Sequence, residues 1–197
     1  SSQDYSMLLT SYWFWEQVGA EHVLIFQEDA LLLAPDLERF VQSESVDYVG
    51  APWDPTDAWV AGKAWLSAVG GNGGLSLRRR SHALQCLDAC AWQRGQWEDA
   101  FYVEVLQQLG RHVADSTAAR GFALERPLAG SAGDDDAEAA AAAVPPCGLH
   151  KAYNYVKEAP LERLLASLED VYTACLRQQL GLSTTSTTET SERESGG

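Results

Sequence analysis

Positive charge is scarce in this sequence. Lys and Arg number 14 against 28 Asp and Glu in 197 residues, a formal net charge of −14. That balance excludes nucleic acid as a partner, because no basic stripe is present to neutralise phosphates. The one basic cluster, Arg78-Arg79-Arg80, is too short for such a footprint and suits a single phosphate or carboxylate group. No apolar run approaches ~20 residues, so nothing reads as a membrane-spanning helix, and no n-region or h-region of a secretory signal is visible. The cysteines at 86, 90, 147 and 175 form no Cys-x-x-Cys, which argues against a zinc knuckle and for buried free thiols. Neither asparagine, Asn72 or Asn154, begins an N-glycosylation acceptor. A P-loop is excluded too, since no Gly-Lys-Ser/Thr opens a helix.

What is present centres on Val23-Leu24-Ile25-Phe26-Gln27-Glu28-Asp29-Ala30. Four bulky apolar residues run without a break and stop at a carboxylate pair. Such a run reads as a strand buried on both faces. In open α/β sheets ligands bind beyond the carboxyl ends of the strands. Glu28 and Asp29 at such an end suit a hard divalent cation, which prefers oxygen ligands. The same pair equally fits a capped turn with a solvated acid.

Around this strand the chain reads as α/β. Residues 4–18 predict a helix capped by Asp4, with Leu8, Leu9, Tyr12, Trp13 and Trp15 at helical spacing. Pro35-Asp36 begins a short helix carrying Leu37, Phe40 and Val41. Asp47-Tyr48-Val49-Gly50-Ala51-Pro52-Trp53 reads as a second strand that Pro52 ends. Residues 54–69 lack a period and hold Trp59 and Trp65, whose rings suit either burial or stacking on sugars. Gly70-Gly71-Asn72-Gly73-Gly74 predicts a glycine loop with positive φ or close backbone approach, leading into the strand Leu75–Arg78. Ser81 is expected to cap a helix with Leu84, Leu87, Cys90 and Ala91 inward. Trp97-Glu98-Asp99-Ala100 opens another, with Phe101, Val105, Leu106 and Leu109 inward and Gly110 as its stop. There Glu98 and Asp99 fit a first turn that favours acids. Val113-Ala114 and Phe122–Glu125 read as short strands. A regular apolar stripe from Leu161 to Leu176 predicts a further helix.

Apolar residues make up 46% of the chain, enough for one domain with its own core. Residues 1–181 are assigned to it, with an Ala/Gly/Asp-rich flexible insert at 129–146 and a disordered Ser/Thr-rich tail at 182–197.

Five blocks then fall in a recognisable order. They are Phe26-Gln27-Glu28-Asp29-Ala30, Asp47–Trp53, Gly71-Asn72-Gly73-Gly74-Leu75-Ser76-Leu77-Arg78, Glu98-Asp99 and Gly148-Leu149-His150-Lys151. Together they resemble the domain of unknown function 5672 family, itself similar to the GT-A glycosyltransferases. The resemblance implies a GT-A-like mixed sheet flanked by helices, here truncated at its N-terminus. It implies transfer of a sugar from a nucleotide-sugar donor to a glycan or protein acceptor, with Mn²⁺ or Mg²⁺ as cofactor. Asp29 and His150 would be metal ligands, and Gln27 stands where an Asp-x-Asp motif has its first acid. Asp99, or Glu98, would be the catalytic base. Gly73 and Gly74 would line the acceptor pocket, with Gln27, Asn72, Trp53 and Arg78 as further substrate-binding residues. A helix N-terminus is expected to lower the pKa of Asp99. The compartment stays open between the Golgi lumen and the cytoplasm. The alternative is a non-catalytic carbohydrate-binding or interaction domain, favoured by the charge lost at Gln27.

Overall fold

The structure is a computed structural model that describes residues 1–33, 37–43, 46–125 and 146–151. The expected tail, the helix at 161–176 and the insert at 129–146, apart from Pro146, lie outside the described residues.

The architecture is mixed α/β, built on two small sheets. The main sheet joins β1 (His22–Phe26), β3 (Tyr48–Pro52) and β4 (Gly70–Arg79) in the order β1-β4-β3, with β4 antiparallel to both neighbours. A second sheet runs β2-β6-β5, from Leu31–Leu32, Gly148–Leu149 and Ala123–Leu124. Its β5 and β6 are parallel, and β2 is antiparallel to β6. Parallel pairing also reaches the main sheet, where Tyr48 of β3 makes an isolated parallel bridge to Val113.

The centre of the main sheet is β4, not β1. β1 is an edge strand whose Phe26 is exposed, and only Ile25 among its residues is buried. An apolar run alone does not separate a doubly covered strand from an edge. The glycine segment is likewise strand and not loop. None of Gly70, Gly71, Gly73 or Gly74 has positive φ, and the close-approach reading holds instead.

Side chains alternate across the main sheet as the pleat demands. One face packs Tyr48 with Trp15, Cys86, Phe101 and Tyr102, beneath α2 (Tyr12–Gln17), α5 (Arg80–Ala89) and α6 (Glu98–Gln108). The other packs Val49, Ala51, Leu75 and Leu77 against Phe40 of α3 (Glu38–Val41) and Phe122 of α7 (Ser116–Phe122).

Several local expectations change. Residues 4–18 are two helices, α1 (Ser2–Leu9) and α2, because Ser11 caps a fresh start by accepting from the Phe14 N–H. Ser1 caps α1, and Asp4 completes the capping box from its third position. Ser81 does not cap α5. Its N–H and hydroxyl both donate to Glu21. Cys90, Ala91 and Leu109 are exposed, beyond the buried stretches of their helices. Phe122 ends α7, a helix the sequence reading missed, started by Asp115 accepting from the Thr117 and Ala118 N–H groups. No helix among the described residues is long and apolar enough to cross a membrane.

Candidate functional site

The site grows from an irregularity in β4. Gly50 faces Ser76 while Ala51 faces Asn72, so Gly73, Gly74 and Leu75 bulge out of the ladder. Bulges re-aim backbone groups and gather next to active sites. Here the Gly73 N–H donates to Asp99 Oδ2 at 2.9 Å, and the Gly74 N–H donates to Asn72 Oδ1 at 3.0 Å. The Gly74 carbonyl accepts from the Gln27 N–H at 2.8 Å. A three-residue stretch thus ties the end of β1 to the start of α6.

On the Gly74 side stand Gln27, Asp29 and His150. Gln27 to Ala30 form a turn closed by the Ala30 N–H donating to the Gln27 carbonyl. This turn carries Asp29 inward and leaves Glu28 exposed. His150 is carried by the chain leaving β6, its N–H held by the Leu124 carbonyl. The His150 ring packs on Gly74 so closely that a Cβ there would lie 1.9 Å from Nε2. Nε2 sits 3.2 Å from Gln27 Oε1 and 3.5 Å from Asp29 Oδ1. Asp29 Oδ1 and His150 Nδ1 are both buried without a hydrogen-bond partner. Burial lowers the His150 pKa, against the opposing pull of Glu125 and Asp29, which favours the neutral ring that a metal requires.

These three side chains fit a hard divalent cation. Neighbouring ligands of an octahedral ion bound at 2.0–2.1 Å lie about 3 Å apart, close to the two spacings from Nε2. The donors are one imidazole nitrogen, one carboxylate and one amide oxygen. No group of three or more His, Cys, Asp or Glu is placed to hold a metal among the described residues, so a cation here would need the Gln27 amide oxygen as its third donor.

Behind them lies a polar support. Asn72 Nδ2 donates to Glu125 Oε2 at 2.8 Å, and Lys151 pairs with Glu125. Glu125 Oε1 lies 4.0 Å from His150 Nδ1, beyond hydrogen-bond distance but near enough for its charge to act on the ring. Asn72 is thereby buried in the support. Sequence reading missed Glu125 as a site residue, because a lone acid after a short apolar run carries no signal.

On the Gly73 side is Asp99. Burial raises its pKa to about 7, Glu98 adds to the shift, and the Gly73 and Ala100 N–H groups only partly oppose it. The helix N-terminus was expected to lower this pKa, but desolvation and the neighbouring charge outweigh it. Tyr5 reaches the same region. Its hydroxyl is buried without a hydrogen-bond partner, and burial raises its pKa against the pull of Arg78.

Three sequence candidates are already engaged, Glu98 and Arg78 directly against Gly73 and Trp53 against Gly71. Glu98 is buried in a two-pronged ion pair with Arg78, Nη1 to Oε2 at 2.6 Å and Nη2 to Oε1 at 3.0 Å. The guanidinium lies between the rings of Tyr48 and Tyr102, 4.8 and 5.4 Å from their centroids. Burial pulls the Arg78 pKa down, but Glu98 more than compensates and holds it above its usual value. Both residues are occupied inside the protein, so the pair anchors α6 to β4. Trp53 is buried against Gly71 and meets the edge of Trp59.

The profile of the family described as "Protein of unknown function (DUF5672)" matches residues 1–139. The chain belongs to the DUF5672 family. The matched stretch holds Gln27, Asp29, the β4 bulge and Asp99, while His150 lies beyond it and joins the site by geometry. No curated protein and no solved structure matches this DUF5672 chain.

Proposed function

We propose that this DUF5672 domain is a metal-dependent glycosyltransferase of GT-A type. It moves a sugar from a nucleotide-sugar donor to an acceptor hydroxyl. The observation that carries the reading is the β4 bulge. On one side of it gather the oxygen and nitrogen donors of Asp29, Gln27 and His150, and on the other stands a carboxylate with a pKa of about 7.

Asp29, Gln27 and His150 would hold Mn²⁺ or Mg²⁺, which supplies charge neutralisation for a leaving diphosphate. Asp99 takes the acceptor proton as its oxygen bonds to the anomeric carbon and the bond to the diphosphate breaks. A base works best with a pKa near the operating pH, and burial beside Glu98 provides that. The Gly73 N–H holds the Asp99 carboxylate in one orientation. Asn72, Glu125 and Lys151 support the opposite wall.

The test is transfer from a panel of labelled nucleotide sugars in Mn²⁺. Asp99→Asn keeps the size and the hydrogen-bond acceptor but cannot take a proton, so turnover should fall about 10²–10⁴-fold. Absence of Mn²⁺-dependent binding and turnover across the panel overturns the proposal. The second reading, a carbohydrate-binding domain without turnover, draws on the neutral Gln27 amide where an acid would strengthen the metal site. It predicts glycan binding that is indifferent to Mn²⁺ and to Asp99→Asn.

A further inference from the structure

One buried group beside the site has no partner. Tyr5 stands in the middle of α1, and its hydroxyl is buried without a hydrogen bond. Such a group costs free energy of desolvation, so the packing of α1 must impose it. The capping box of Ser1 and Asp4 fixes the start of the helix. The Gln3 side chain accepts from the Gly95 N–H at 2.8 Å. At the other end the Leu9 carbonyl accepts from the Tyr102 hydroxyl at 2.6 Å and from Trp15 Nε1 at 2.8 Å. Tyr102 belongs to α6, which is braced in turn by α4 (Ala64–Ser67), where the Trp65 carbonyl accepts from Gln107 Nε2 at 3.0 Å.

Held in this way, Tyr5 faces the site. Burial raises its pKa, and the charges of Arg78, Glu98 and Asp99 act on it, so the group is a neutral hydroxyl. The Gln27 amide pulls the same pKa down, which is the effect of an N–H donor aimed at the phenolic oxygen. Yet no hydrogen bond is closed between them. The other end of the amide, Oε1, faces His150 Nε2 at 3.2 Å.

We propose that Tyr5 is a positioning residue for Gln27, accepting from its Nε2–H so that Oε1 stays turned toward the cation. A primary amide has one acceptor end and one donor end. Rotated by half a turn, Gln27 would present N–H groups, which cannot ligate a metal. The Gln27 N–H bond to the Gly74 carbonyl fixes its main chain and not this last torsion. His150 favours the wrong orientation. With Nε2 open to a cation, the neutral ring carries its proton on Nδ1, and its Nε2 lone pair draws the amide N–H groups. The Tyr5 oxygen, an unused acceptor at the end of the amide away from His150, opposes that rotation. This inference rests on the metal-dependent reading and deepens it, since it says how an amide serves as the third ligand.

The test is Mn²⁺ calorimetry on wild type, Tyr5→Phe, Gln27→Glu and the double variant, with Tm measured on the metal-free proteins. Tyr5→Phe removes an unsatisfied hydroxyl, so its Tm should be unchanged or higher. Its Mn²⁺ affinity should nonetheless fall about 10–100-fold, as for other outer partners of metal ligands. Gln27→Glu should bind at least as tightly as wild type. Adding Tyr5→Phe to it should cost less than about threefold, because either carboxylate oxygen can face the cation. A Tyr5 that only supports the fold would lower Tm and cost the same in both backgrounds. Unchanged Mn²⁺ affinity in Tyr5→Phe, or equal losses in both backgrounds, overturns the inference and leaves the metal site standing. No Mn²⁺ binding by wild type removes the metal-dependent reading, and the role of Tyr5 falls with it.

Discussion

Removing the Glu98 carboxylate tests whether it is an anchor or a catalytic group. Glu98 and Arg78 are almost fully buried, at 4% and 1% exposure, and each occupies both prongs of the other. Glu98→Ala leaves a buried guanidinium that cannot shed its proton and has lost both of its hydrogen bonds to the carboxylate. Breaking one side of such a buried pair costs about 3–5 kcal/mol. For a domain of this size each kcal/mol lowers Tm by roughly 2–4 °C, so the fall should be roughly 6–20 °C. Replacing the pair together, as Arg78→Met with Glu98→Leu, removes both charges and should recover most of the loss. Urea denaturation of wild type, Arg78→Met, Glu98→Leu and the double variant closes the cycle. A Glu98→Ala protein within about 1 kcal/mol of wild type would refute the anchoring role and return Glu98 to the list of candidate bases, where the sequence placed it.

Gly74→Ala should push the His150 ring off its seat, because the new methyl would lie 1.9 Å from Nε2. The expected outcome is loss of Mn²⁺ binding by calorimetry with a displaced His150 resonance, whereas Gly19→Ala, with nothing within 4 Å, should change neither. The pKa of Asp99 is raised from 3.8 to about 7 in the folded state. The fold therefore keeps a proton that the unfolded chain loses first, and stability should fall as pH rises between those values. Asp99→Asn should flatten that part of the stability profile, checked by denaturation from pH 4 to pH 8, while wild-type transfer should rise through a midpoint near pH 7 as the base ionises. Asn72→Ala should leave Glu125 short of a donor and weaken metal binding about 10–100-fold through the support of His150, read by the same calorimetry.

The cores of the main-sheet strands were legible from short β-branched and aromatic runs bounded by Pro and Gly, and motif order named Gln27, Asp29, Asp99 and His150. What sequence could not supply was the pairing. Nothing in Gly70–Gly74 announces that it continues a ten-residue central strand, because glycine runs are the usual mark of a loop and only the packed neighbours Ala119, Val103 and His150 explain them. The bulge that turns Gly73 and Gly74 toward Asp99 and Asn72 depends on the register against β3, a relation between segments about twenty residues apart. Arg78 lay in a run of three arginines that suits a single phosphate or carboxylate group, and Glu98 is the carboxylate that holds it inside. Glu98 and Asp99 are adjacent and chemically alike in sequence. Helix geometry turns one onto the Arg78 guanidinium and the other onto the Gly73 N–H, and those partners give them different work.

The claim on which the account turns is that Asp29, Gln27 and His150 hold one divalent cation. Pulsed electron paramagnetic resonance of Mn²⁺ titrated into the protein examines it directly. A hyperfine coupling from one directly bound imidazole nitrogen is expected, lost in His150→Gln, together with loss of tight binding in Asp29→Asn. Bound Mn²⁺ with no nitrogen coupling, or an unchanged spectrum in both variants, would contradict it.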